Sequence, residues 1–265
     1  MSRNWRHSKV FRTTALFATA LQVVFPPLAL ANSQPQIVTD GRTSTTLNIQ
    51  GSTTDIRTST VFGQTGLNSF SRFNVYSGNT VNLHLPDQTS ALVNMVHNEQ
   101  TVIDGILNSY KAQQIGGNIY FLNPHGVLVG STGVLNVGSM TLATPTPDFM
   151  SNLLAGNQMV SAPHLAKVLD NDMPLSKSGV IDIRGQINSL SHAAISAGDV
   201  NISGMIETGT QAKISVEALV NMNGERLMVD LDQVATTPTV NIQAEGDVQL
   251  AGRVAADGAD HTDAG

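Results

Sequence analysis

Residues 117–130 read Gly-Asn-Ile-Tyr-Phe-Leu-Asn-Pro-His-Gly-Val-Leu-Val-Gly, an apolar run, a turn signal and a second apolar run. Pro124 has a fixed φ and no N–H, so it cannot continue a hydrogen-bonded ladder, while Gly126 accepts dihedrals closed to other residues. The same grammar extends to both sides. Thr80-Val81-Asn82-Leu83-His84-Leu85 alternates and places Val81, Leu83 and Leu85 on one face. Further short strands are expected in 46–50, 68–75, 91–96, 101–108, 133–137 and 139–144, separated by Gly, Asn, Ser and Pro. A chain that repeats strand and turn without intervening helices buries itself either as a sandwich or as a solenoid.

A repeat farther along selects the solenoid. Val180-Ile181-Asp182-Ile183-Arg184-Gly185-Gln186-Ile187 is echoed by Val200-Asn201-Ile202-Ser203-Gly204-Met205-Ile206 and by Val248-Gln249-Leu250-Ala251-Gly252-Arg253-Val254. Gly185 and Gly204 are 19 positions apart, close to one coil of a β-helix, whereas Gly204 and Gly252 are 48 apart. The interruption is assigned to 221–231. The expected fold is all-β, a right-handed parallel β-helix in which alternate residues stack into a continuous core. Each coil touches only its neighbours, so the ends need caps, and 32–49 is the expected N-terminal cap. Glycines and Asn-Gly-type corners are expected to supply positive φ where the chain turns. Between 145 and 175 the pattern changes. Pro145 and Pro147 interrupt the ladder, and the excursion from the strand array is expected to be either two short helices, at 148–154 and 164–169, or irregular loop.

Residues 1–31 read as a secretory leader. Arg3, Arg6, Lys9 and Arg12 precede an uncharged, mainly apolar run at 15–30, and Ala29-Leu30-Ala31 fits a small-x-small cleavage site. Pro26-Pro27 breaks this run short of the roughly 20 residues a membrane-spanning helix needs. Removing the leader takes four positive charges from a net of −6, leaving −6 − 4 = −10. That charge argues against nucleic acid as a partner. The chain has no cysteine and only 13% charged residues. An exported chain without thiols can cross a second membrane unfolded, with no disulfide to jam it.

Several motifs then resemble one family in order and spacing. These are Phe70-Ser71-Arg72-Phe73-Asn74-Val75, followed by Gly78 and Val81-Asn82-Leu83. Next come Leu92-Val93-Asn94-Met95-Val96, then Asn118 through Asn123-Pro124-His125-Gly126, then Gly133-Val134-Leu135-Asn136-Val137. They resemble the secretion domain of two-partner-secretion exoproteins, the filamentous haemagglutinin-type adhesins. His125 stands where that family has Asn, and the upstream Asn-Pro-Asn-Leu motif of some members is absent.

The resemblance implies a leader at 1–31, a secretion domain at 32–145, and at 146–265 the start of a β-helical stalk that stops short of its full length. It implies recognition in the periplasm by the soluble domains of an outer-membrane β-barrel transporter. It also implies export to the surface of a Gram-negative cell, with the first coils templating later ones. A host or neighbouring-cell ligand would belong to the missing downstream region. Asn123, Pro124, His125 and Gly126 form the expected secretion motif, with Phe70, Phe73, Asn74, Asn94, Asn118 and Asn136 supporting it.

No cofactor or metal is implied. His84, His97, His125, His164 and His192 are scattered singly, and Asp170-Asn171-Asp172 lacks the Gly and Glu of a calcium loop. The alternative classes are a β-helical polysaccharide-degrading enzyme, with Asp182, Asp199 and Asp247 as its carboxylates, and the stalk of a haemolysin or contact-dependent toxin exoprotein.

Overall fold

A computed structural model of the chain describes residues 35–155, 159–209, 235 and 237–258. The expected leader with Ala29 and Ala31, and the interruption at 221–231, lie outside the described residues.

The alternation seen in the sequence produces three walls of parallel strands wound as one right-handed β-helix. The cap comes first. β1 (Gln36–Thr39), β2 (Thr45–Gln50), β3 (Thr53–Thr58), β4 (Val61–Phe62) and β5 (Thr65–Val75) form the first coil and its cover. β1 runs antiparallel to β5 and β2 antiparallel to β3. The expected cap is therefore a pair of antiparallel strands that cover the end of the coil.

The second coil is β6 (Thr80–His84), β7 (Ala91–Val96) and β8 (Thr101–Ile103). The third is β9 (Ile106–Lys111), with a hairpin partner β10 (Gln114–Ile115), then β11 (Asn118–Leu122) and β12 (Val127–Val129). The fourth holds β13 (Val134–Val137) and β14 (Ser139–Ala143). The chain then makes its excursion through α1 (Pro147–Leu153), β15 (Leu154–Ala155), β16 (Met159–Val160) and α2 (Ala162–Leu169), and returns in β17 (Val180–Ile183). The fifth is β18 (Gln186–Ser189), β19 (His192–Ala197) and β20 (Asp199–Ile202). Then follow β21 (Met205–Gly209), β22 (Thr239–Ala244), β23 (Val248–Leu250) and β24 (Arg253–Asp257).

Strands stack in three walls. One wall is β3-β6-β9-β13-β18-β21-β24. The other two, β5-β7-β11-β14-β19-β22 and β5-β8-β12-β17-β20-β23, share β5. That strand bends in mid-course: Thr65–Phe70 pair with β7, while Asn74 and Val75 pair with β8. One continuous apolar core runs through the coils, from Ile56 and Phe70 to Val200 and Ile206.

The repeat glycines form a column. A Cβ at Gly185 would lie 2.2 Å from the Gly133 carbonyl oxygen, one at Gly204 2.1 Å from that of Gly185, and one at Gly252 2.0 Å from that of Gly204. None of the three has positive φ. Positive φ is found instead at turn glycines such as Gly78 and Gly126; the repeat glycines are needed because one coil's backbone sits directly on the last. Gly252 stacks on Gly204 despite the 48-residue separation, so the register is kept across it.

The excursion covers one wall. Val93, Met95, Leu122 and Ala143 alternate with core residues and would face water. Phe149, Met150, Leu153, Leu165 and Val168 pack on them as a second apolar cluster. Thr146 caps α1 by accepting the Phe149 N–H at 3.3 Å. Its neck is closed where the Thr146 N–H meets the Pro174 carbonyl at 2.9 Å.

Candidate functional site

Residues 123–126 form a hydrogen-bonded turn at the corner between β11 and β12. The Gly126 N–H donates to the Asn123 carbonyl at 3.1 Å. Asn at the first position, Pro at the second and Gly at the fourth are the preferences of a type I turn. Its third position has negative φ and accepts most residues. This explains why His125 replaces Asn without changing the turn. Gly126 has φ +97° and passes so close to Val180 that a Cβ would lie 2.4 Å from its carbonyl oxygen.

The Asn123 side chain is fully buried. Its Oδ1 accepts the His125 N–H at 2.9 Å, and its Nδ2 donates to the Glu99 carbonyl at 2.9 Å and to Thr101 Oγ1 at 3.0 Å. Pro124 is buried as well, and His125 is the exposed member of the turn. Its Nε2 lies 2.9 Å from the His97 carbonyl.

The Phe70-Ser71-Arg72-Phe73 segment is built around a bulge. In a straight strand, residues three apart point to opposite faces. The pairing with β1 slips at this point: Val38 faces Arg72 but Thr39 faces Phe70, leaving Ser71 extra. Both rings therefore enter the core, with Phe70 and Phe73 5.1 Å apart edge to face and Phe73 5.0 Å from Phe121. Beyond the bulge, Asn74 accepts the Val102 N–H at 2.9 Å through Oδ1, and its Nδ2 approaches Glu99 Oε1 at 3.5 Å.

The other motif asparagines join coils. Asn94 Oδ1 accepts from Asn68 Nδ2 at 3.0 Å, and Asn68 Oδ1 accepts from Thr45 Oγ1 of the cap at 2.8 Å. Asn136 belongs to a second column, in which its Nδ2 donates to Asn108 Oδ1 at 2.9 Å. Asn118 is exposed and accepts from Ser139 Oγ at 2.8 Å. The structure thus brings Asn74 and Asn123 onto one loop, gathers Phe70 and Phe73 in the core beneath, and leaves Asn94, Asn118 and Asn136 elsewhere.

Sequence reasoning missed a polar cluster beside this loop. Ser69 Oγ donates to Asp40 Oδ2 at 2.6 Å and lies 3.1 Å from His97 Nε2. Arg42 Nη1 is 3.4 Å from the His97 ring, and Arg42 also pairs with Asp40 at 3.5 Å. Burial holds the His97 pKa below its usual value, reinforced by Arg42 and His125 and opposed by Asp40. Ser69 is fully buried and its proton goes to Asp40, so this trio ties the cap to the second coil and does not generate a nucleophile. Nothing local in the sequence signals it, because Asp40 and His97 are far apart in the chain.

The carboxylates of the enzyme alternative have structural duties. Asp182 pairs with Arg184 at 2.6 Å, and Asp199 Oδ1 accepts the Asp247 N–H at 2.9 Å. Among the described residues no cluster of three metal-ligating side chains occurs, and no helix is long and apolar enough to cross a membrane.

A capped right-handed β-helix with a bulged aromatic corner and an Asn-Pro-X-Gly turn defines a class of capped solenoid proteins. The model of the TPS secretion domain family matches residues 35–262, most of the chain, and the chain belongs to this family of two-partner-secretion exoproteins. No curated protein matches it. The match runs through the expected boundary at 145, just as the coils continue across the excursion. Membership implies secretion through the periplasm and interaction with an outer-membrane transporter.

Proposed function

We propose that residues 32–145 form the part read in the periplasm by the soluble domains of the transporter. The coils after 146 begin a stalk that folds onto them at the cell surface. Residues 1–31 serve as the export leader, removed after Ala31. The family match over 35–262 supports a secretion role for the chain; the split at 145 rests on the run of motifs that ends before Pro145. Its physical support is a cap on the first coil and exposed apolar residues in the last described coil, where Val248 is 49% and Leu250 56% exposed. A solenoid covered at one end grows from the other, because each new strand needs a formed edge to pair with.

In this reading Asn123 and Pro124 shape the surface that is read, since both are buried. The downstream region would carry any adhesive function toward a host or neighbouring cell. The test is export of the full chain from cells with and without the transporter, together with capture of the purified chain by the transporter's periplasmic domains. Transporter-dependent export with direct capture is expected; equal export without the transporter overturns the reading.

A further inference from the structure

Two motif asparagines far apart in sequence hold one short loop from opposite sides. The loop is 97–101, the corner between β7 and β8. From the first coil, Asn74 Oδ1 takes the Val102 N–H, Phe70 O takes the His97 N–H at 3.1 Å, and Ser71 O takes the Asn98 N–H at 3.2 Å. From the third coil, Asn123 Nδ2 holds the Glu99 carbonyl, Gly126 O takes the Thr101 N–H at 3.1 Å, and the His125 ring reaches the His97 carbonyl. Arg72 pairs with Glu99 across the same corner.

The backbone of this loop is therefore fixed on both flanks by groups that are themselves buried or committed. Besides the part-exposed Arg72–Glu99 pair and His125, what is left facing water is the side chains of Asn98 and Gln100, both exposed and both without a side-chain hydrogen bond among the described residues. Such rigid placement lowers the ordering cost of binding. A corner this thoroughly braced by the motif residues, yet carrying two unspent amides, is suited to being read.

We infer that the loop 97–100, with the adjoining His125, is the surface the transporter's periplasmic domains recognise, and that Asn74 and Asn123 act by presenting it. This rests on the proposed secretion role. The partner surface it fits is polar and hydrogen-bonding: the exposed groups are amides, and Glu99 is already neutralised by Arg72. His125 apart, motif and epitope are then different residues. The buried motif sets the shape and the exposed loop makes the contact.

The test uses the full purified chain and the periplasmic domains of its transporter. Asn98→Lys with Gln100→Lys is compared with Asn241→Lys with Gln249→Lys, a pair of equal charge at exposed positions on β22 and β23. The loop pair is expected to raise Kd at least tenfold with an unchanged melting temperature, and the control pair to leave Kd unchanged. Equal binding of wild type and loop pair overturns the inference, as does equal weakening by both pairs, which would report charge alone. Loss of binding by the loop pair through self-association, seen as a dimer in solution, also overturns it. Failure of the wild-type chain to bind at all speaks against the secretion role itself, so the two failures are distinguishable.

Discussion

Asn123 makes three hydrogen bonds from a position without solvent access, so its side chain acts on the fold before it acts on any partner. Asn123→Ala strands the Glu99 carbonyl and Thr101 hydroxyl and is expected to cost about 2–3 kcal/mol. Melting temperature and export should fall together. Lost export with an unchanged melting temperature would instead make Asn123 a contact residue. His97 gives a pH prediction. Burial lowers its folded pKa beneath the unfolded value of about 6.5, so the unfolded chain binds the extra proton first. The stability it contributes is complete above that unfolded value and is lost as pH falls through the depressed folded one. Urea midpoints measured from pH 7.5 to 5.5 should decline, and His97→Gln should flatten that decline; parallel slopes would remove His97 as its source.

Elements differ in how far their sequences foretold them. Most strands of the second to fifth coils were legible because Val81, Leu83 and Leu85, or Ile181 and Ile183, alternate with polar neighbours, whereas β19 (His192–Ala197), where small residues blur the alternation, was not. The helices of the excursion were offered by Asp148 and the apolar residues after it and by 164–169, beside the loop alternative. Residues 101–108 read as one strand, yet the wall turns at Gly105, because a Cβ there would lie 2.4 Å from the Asn79 carbonyl of the preceding coil. No single-chain pattern reports such an approach. The turn Asn123–Gly126 was visible as chemistry, whereas the loop it supports was not, since Glu99 and Thr101 matter only through contacts made on stacking. Two substitutions follow from the element geometry. Gly204→Ala puts a methyl against the Gly185 carbonyl and is expected to destabilise by about 2 kcal/mol or more in urea unfolding. The β9–β10 hairpin has Ala112 at φ 48° and Gln113 at φ 65°, where a two-residue turn prefers Asn-Gly. Replacing Ala112→Asn with Gln113→Gly is expected to stabilise the chain by about 1 kcal/mol in the same assay.

Across the molecule, one column of side chains carries a direction. Asn82 Nδ2 donates to Asp55 Oδ1 at 3.2 Å, Asn108 to Asn82 at 3.0 Å, Asn136 to Asn108 at 2.9 Å, and Asn188 to Asn136 at 2.9 Å. All five residues are 5% exposed or less. An ionised carboxylate only accepts. Asp55 in the first coil therefore forces Asn82 to present its amide nitrogen, which turns the Asn82 oxygen toward Asn108, and the same constraint passes from coil to coil. At the far end Gln186 Nε2 supplies the donor that Asn188 Oδ1 needs at 2.8 Å. Glu207, next in the column, pairs with Arg253 at 3.1 Å. The polarity of the column is thus set at the capped end and read toward the last described coil. Two isosteric changes separate polarity from simple charge. Asp55→Asn keeps an acceptor for Asn82 and is expected to cost no more than about 1.5 kcal/mol. Asn136→Asp removes the donor to Asn108 and buries a carboxylate against its oxygen, at an expected cost of about 3–5 kcal/mol. Limited proteolysis of the Asn136→Asp variant should cut first in the coils beyond residue 136, with the cap and second coil protected. Equal urea midpoints for the two variants, or cleavage that starts in the first coil, would show that the column has no direction.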